Sequence, residues 1–211
     1  MPLLTRAFPP PSFLSPSSPD LPFPALLFLS AAFCDATTAG RTTEAVRVRF
    51  IDMILGIGID VVDCEAFAEQ LHQPGSVFTS QVFTAREWRT VARRLAEKHG
   101  LSFQPGAPLP LPAVPHLAAR WAAKEAVVKA WSAALYGTAP PLGEDEVDWR
   151  EIEVVHDQWH RPAIRLHGQF AQRVAESLGG LGISGDALRW HLSLSHDGSS
   201  AIANVLLEAQ G

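Results

Sequence analysis

Apolar and polar positions along the chain follow two different periods, and the switches between them mark out the elements. Ile54 to Val62 is a mostly apolar run closed by Asp63. It reads as a buried strand, with Asp63 as the N-cap of a short helix through His72. Thr84-Ala85-Arg86-Glu87 has capping-box spacing and predicts a helix to about His99. Gly100 to His116 is proline-rich and reads as a loop. Leu117 to Tyr136 is rich in alanine, stops at Gly137 and Pro140-Pro141, and predicts the longest helix. Ile152 to His156 and Ala163 to Leu166 predict a hairpin turning through Asp157 to Pro162. Phe170, Val174 and Leu178 recur at i, i+4 and i+8, so Gly168 to Leu178 is an amphipathic helix. His191 to Ser195 and Ala201 to Leu207 form a second hairpin across His196-Asp197-Gly198-Ser199. Hairpins dominate and no βαβ repeat occurs. The fold class is α+β, an antiparallel sheet with a long central helix.

Composition divides the chain at Met53. Before it, prolines crowd between Pro2 and Pro24, and only Arg6, Asp20 and Asp35 are charged in the first forty residues. No period organises the phenylalanines there. Ala25 to Phe33 resembles the apolar run of a signal peptide, but Pro22 and Pro24 interrupt it and a single Arg precedes it. Residues 1–52 are therefore expected to be a disordered extension, consistent with a start codon called too early. Residues 53–211 form the functional domain. A net charge of −5 argues against a general nucleic-acid binder. No run of 18 apolar residues occurs, so no membrane span is expected. The two cysteines, Cys34 and Cys64, make neither a zinc motif nor a disulfide framework, which suits a reducing compartment.

Polar residues intrude on buried elements at three places. In Gly56-Ile57-Gly58-Ile59-Asp60, strand parity puts both glycines and Asp60 on one face and the isoleucines on the other. That leaves room beside the carboxylate for a packed backbone or a ligand; the plainer alternative is that Asp60 only terminates the strand. In Arg120-Trp-Ala-Ala-Lys-Glu125-Ala-Val-Val-Lys129, Glu125 sits at the edge of an apolar stripe. Lys129 can pair with it at i, i+4, whereas a metal ion would also account for a carboxylate in that place. In His191-Leu-Ser-Leu-Ser-His196, a Ser–His pair is suggestive of a hydrolase, but no G-x-S-x-G elbow accompanies it. His156 and His160 have metal-like spacing but span a turn, and are expected to face solvent.

Together these residues resemble a family. Gly58-Ile-Asp60, Phe83-Thr-x-x-Glu87, Arg120-Trp-Ala-Ala-Lys-Glu125-Ala-Val-Val-Lys129-Ala, Trp149-Arg-Glu-Ile-Glu-Val154, Leu166-His-Gly168 and Leu192-Ser-Leu-Ser-His196 occur in family order. The stretch from Met53 to Glu208 is similar to holo-[acyl-carrier-protein] synthase, the compact trimeric class of 4′-phosphopantetheinyl transferase, in its actinobacterial form. The resemblance implies that fold, and transfer of 4′-phosphopantetheine from coenzyme A to a serine of an apo acyl carrier protein. It implies release of 3′,5′-ADP and a role in fatty acid biosynthesis in the cytoplasm. It assigns Asp60 and Glu125 to Mg²⁺, Lys129 to the catalytic centre and the coenzyme, and Arg120 and His196 to the coenzyme, in a homotrimer. The serine proton goes either to Glu125 or to a Mg²⁺-bound water.

Two departures from the family pattern stand out. His160 occupies a hairpin position where the family has glycine. The helix after Asp60 is acidic rather than basic, so Arg86, Arg89, Arg93 and Arg94 are the candidate carrier-docking surface. The rival readings are a non-catalytic binding module on the same fold and a Mg²⁺-dependent pyrophosphohydrolase that delivers the phosphoryl group to water.

Overall fold

The computed structural model describes residues 52–102 and 109–211. The expected N-terminal extension, apart from Asp52, and residues 103–108 of the proline-rich loop lie outside the described residues. In order the elements are β1 (Met53–Asp63), α1 (Cys64–His72), α2 (Phe78–Val82), α3 (Ala85–His99), α4 (Val114–Ala134), β2 (Ile152–His156), β3 (Pro162–Leu166), α5 (Gly168–Gly179), β4 (Leu188–Asp197) and β5 (Ser200–Ala209). One antiparallel sheet has the order β1-β5-β4, and β2-β3 is a separate antiparallel hairpin.

Helix α4 organises the rest. It starts three residues before the expected Leu117, because Pro115 sits in its first turn, where its missing N–H would be unpaired anyway. Ala118, Ala119, Ala122, Ala123, Ala126 and Ala130 are all buried. Such small side chains let neighbouring backbones come close on several sides. The alanine-rich composition thus serves packing as well as helix propensity. Strands β1 and β5 lie against this helix.

The glycine face of β1 explains the approach. A Cβ on Gly58 would overlap the carbonyl oxygen of Ala126, and one on Gly56 that of Ala130. The room beside Asp60 is therefore filled by packed backbone. On the opposite face the expected burial fails. Ile57 and Ile59 are 56% and 52% exposed, and Ile54 and Val61 are exposed beside them. A single helical layer covers this sheet, so only one of its faces reaches a core.

The predicted caps hold. The Asp63 carboxylate accepts from the Ala66 N–H at 2.8 Å at the start of α1. Thr84 and Glu87 form a reciprocal capping box on α3, which ends at Gly100 in the left-handed region, φ 63°. The short helix α2 went unforeseen. It carries too few residues to show a period.

Two turns differ from expectation. The β4–β5 hairpin is tighter than predicted, because Asp197 pairs with Ser200 across Gly198-Ser199. His196 is consequently a strand residue opposite Ala201, and its parity places it with Leu192 and Leu194 on the α4 side. In the β2–β3 turn His160 adopts φ 66°, the left-handed region that glycine favours. Asp157 stabilises that turn, its Oδ1 accepting from the N–H groups of Trp159 and Arg161 at 2.9 Å each.

Candidate active site

The glycine contact carries Asp60 past the flank of α4, where Lys129 meets it. Lys129 Nζ lies 2.7 Å from Asp60 Oδ1, with half of the lysine side chain and 16% of the aspartate side chain exposed. Lys129 and Glu125 are one turn apart on α4. Both line a pocket of about 620 Å³ with Val128, Ser132, Tyr136, Val147 and Trp149. Its size suits a small-molecule ligand. The sheet edge and one helix face thus bring Asp60, Lys129 and the Glu125 pocket together.

The donor set fits a particular kind of cation. Among the described residues no three His, Cys, Asp or Glu side chains converge into a closed metal cage. One carboxylate in an open pocket, Glu125, with a second, Asp60, held by the neighbouring Lys129, is the kind of sparse oxygen set that suits Mg²⁺, which keeps waters and takes up ligand phosphate oxygens around one or two protein carboxylates. Lys129 already supplies one positive charge to Asp60.

Arg120 and His196 belong to a different place. They line a second cavity, of about 310 Å³, with Arg94, His116, His156, His160 and Ser195. Five residues separate Arg120 from Glu125, which turns them about 140° apart on an ideal helix. Arg120 is 2% exposed. Its Nη1 donates to His116 O at 2.7 Å, while Nε and Nη2 are buried without a partner. Burial lowers its pKa to about 10, so the guanidinium stays charged at neutral pH. The His116 and His196 rings meet edge to face at 5.3 Å.

His156 does not simply face solvent, as its position in a turn had suggested. It is half-buried with Nδ1 unpartnered, and burial, helped by Arg120 and Arg94, pushes its pKa down to about 3. His116 is pushed down to about 4, chiefly by burial and then by His196 and Arg120. His116 was not a candidate from the sequence, and His156 was weighed only for its spacing to His160 and expected to face solvent. No sequence signal gathers these histidines and arginines, which come from α3, α4, β2, β4 and a turn and are assembled only by the fold.

Lys124, inside the same motif as Glu125, faces neither cavity. It is fully buried and bonds Glu87 Oε2 at 3.0 Å, Trp149 O at 2.9 Å and Ile152 O at 2.5 Å. Glu87 Oε1 in turn accepts from the Val154 N–H at 3.0 Å. This part of the motif is architecture.

A mixed helix-and-hairpin fold, with Glu125 and the Asp60-paired Lys129 at one pocket and a buried arginine at another, points to a class. The sequence profile of the 4′-phosphopantetheinyl transferase superfamily matches residues 56–196. Within that class, the holo-[acyl-carrier-protein] synthase of Corynebacterium glutamicum is 43% identical over 157 residues, 74% of this chain and 100% of that one. That of Mycobacterium tuberculosis is 41% identical over 156 residues, 74% and 98% of the two chains. The ACPS–CoA complex of Chronobacterium ammoniagenes superposes with a TM-score of 0.59 at 40% identity, covering 74% of this chain and 98% of that one. The chain belongs to the holo-[acyl-carrier-protein] synthase family of phosphopantetheinyl transferases.

Proposed function

We propose that residues 53–211 transfer 4′-phosphopantetheine from coenzyme A to a serine hydroxyl of an apo acyl carrier protein, in the cytoplasm and in support of fatty acid biosynthesis. The observation that carries this reading is the Lys129–Asp60 pair beside the Glu125 pocket. The serine oxygen forms a bond to the β-phosphorus, the bond from that phosphorus to the bridging oxygen breaks, and 3′,5′-ADP leaves. The ammonium of Lys129 lies where negative charge builds up on the pyrophosphate. Asp60 and Glu125 would hold Mg²⁺, which supplies charge neutralisation on the phosphates. The serine proton passes to a base in the same pocket, where Glu125 is a carboxylate.

Two features favour an assembly of several copies, which the family resemblance makes a homotrimer. The exposed isoleucine face of β1 is a contiguous apolar surface of the kind that subunit contacts cover. The two cavities also lie on different sides of α4, so one coenzyme molecule reaches both sets of residues most simply across a subunit boundary. Arg120 and His196 of one copy then hold the adenosine end, while Asp60, Glu125 and Lys129 of another hold the pyrophosphate. Among the described residues no helix is long and apolar enough to cross a membrane, and Cys64 is a buried free thiol.

Mass spectrometry of an apo acyl carrier protein incubated with the enzyme, coenzyme A and Mg²⁺ tests the reaction. Gain of one phosphopantetheine arm, lost with EDTA and with Asp60→Ala, is the expected result. An unmodified carrier with intact coenzyme A would indicate a binding module, and consumed coenzyme A with an unmodified carrier a pyrophosphohydrolase.

A further inference from the structure

Helix α3 presents three different sides. Glu87, Val91 and Leu95 are buried against the core, and Arg94 is partly buried and lines the cavity around Arg120. Arg86, Arg89, Thr90 and Arg93 fall within about 100° of arc on the outer side. With His156 at the end of β2 they line a separate groove of about 360 Å³. All three of these arginines are exposed. Among the described residues only Arg93 of the three pairs with a carboxylate, Glu97 at 3.9 Å. Glu153, which feels the charge of Arg86, is already held by Thr84 Oγ1 at 2.8 Å and by His167 Nε2 at 3.3 Å. Like charges three and four residues apart on a helix cost stability, so folding gives no reason for the stripe. It also runs against the net charge of −5 of the whole chain.

We propose that the Arg86–Arg89–Arg93 stripe of α3 is the surface on which the apo acyl carrier protein docks, and that it takes an acidic helix of that protein. The inference rests on the transfer reaction proposed above, whose second substrate is a protein and needs a surface beyond the coenzyme pocket. Arg86 and Arg93 are seven residues apart, about 10 Å along the axis. Carboxylates spaced i, i+3 or i+4, and i+7 on a partner helix match that span, and each guanidinium can take one in bidentate fashion. His156 lines both this groove and the Arg120 cavity, so a helix docked here lies beside the site proposed for the adenosine end of the coenzyme. The neighbouring helix α1 exposes Glu65 and Glu69, which repel the same partner. Arg94, grouped with the other three by sequence, is not part of the stripe because it turns into the coenzyme cavity.

Steady-state transfer by the full chain, with apo acyl carrier protein and coenzyme A varied in turn, tests this. Arg86→Glu, Arg89→Glu and Arg93→Glu combined are expected to raise KM for the carrier about tenfold or more, with kcat and KM for coenzyme A unchanged. The difference from the native protein should shrink in about 0.5 M NaCl, where charges are screened within a few ångströms. Glu65→Lys with Glu69→Lys is expected to leave KM for the carrier unchanged or lower it. Each variant is checked for native circular dichroism, and Arg89→Glu alone, expected to raise KM for the carrier about threefold, serves if the combined variant misfolds. A carrier KM unmoved by the α3 reversals overturns the inference. So does a rise confined to coenzyme A, or a larger loss from the α1 reversals than from those on α3. In each of those cases the native protein still modifies the carrier and the transferase reading stands alone. If the native protein modifies no carrier, that reading falls and takes the inference with it.

Discussion

Lys124 Nζ and Glu87 Oε2 are 3.0 Å apart, and both side chains are wholly shielded from solvent. The lysine spends its remaining donors on two carbonyls and the glutamate spends its other oxygen on the Val154 N–H. Helices α3 and α4 and strand β2 are thereby tied at one point. A buried pair of this kind fixes relative position more surely than it adds net stability, because desolvating both ions offsets their attraction.

Removing one partner strands the other. Lys124→Met is expected to destabilise the fold by about 3–5 kcal/mol, measured by urea unfolding at fixed protein concentration. Lys124→Met combined with Glu87→Leu should recover part of that loss, since no uncompensated charge remains buried.

His160 holds a left-handed backbone that costs a side-chain-bearing residue energy. His160→Gly is expected to raise stability by about 0.5–1 kcal/mol, the relief of strain being partly offset by a more flexible unfolded chain. Thermal unfolding of the two proteins at the same concentration and pH measures it.

The depressed pKa values of His116 and His156 set a pH dependence of stability. Both groups are neutral in the fold down to about pH 4 and about pH 3, yet charge near pH 6.5 in the unfolded chain. The unfolded state therefore binds more protons in that interval, and stability falls as pH drops from 6.5 towards 4. The slope is up to about 1.4 kcal/mol per pH unit for each group. His116→Gln and His156→Gln should flatten the curve, and coenzyme-free protein is the form to measure.

Separate cavities on one helix predict complementation between inactive variants. Asp60→Ala and His196→Ala, each inactive alone, are expected to regain activity when unfolded together and reassembled. In randomly mixed closed rings about one quarter of the sites would combine an intact Asp60 with an intact His196 from the next subunit. Carrier modification by the mixture, against each variant refolded alone, is the readout. Ile59→Glu should abolish both assembly and activity, with sedimentation velocity reporting the former.

Much of this fold is visible in local sequence signals. The capping box at Thr84, the Asp63 cap and the alanine-rich helix need only nearby residues to be recognised, and each is found within a few positions of its expected place. The geometry of Asp60 and Lys129 was half legible. Strand parity put Asp60 on the glycine face, but the partner that meets it there lies 69 residues away in sequence. The exposed isoleucines misled because an apolar run looks the same whether it meets a core or a subunit partner. Arg120 and His196 of the second cavity were legible through their motifs, but the cavity as a whole was not, because its residues come from α3, α4, β2, β4 and a turn, and the i, i+4 spacing of His156 and His160 falls across that turn.

The contact between Gly58 and Ala126 has a consequence for how the chain tolerates change. Main chain rests on main chain there. The distance across which Lys129 reaches Asp60 is therefore set by two peptide backbones and is largely independent of side-chain repacking. Core residues elsewhere can exchange one aliphatic for another, and the structure absorbs the difference without retuning that distance. A methyl group at position 58 has no such outlet: it wedges strand from helix and moves the carboxylate bodily. Among neutral drift in the surrounding apolar positions, this glycine, like Gly56 beside it, is a point at which the chain has little freedom to vary.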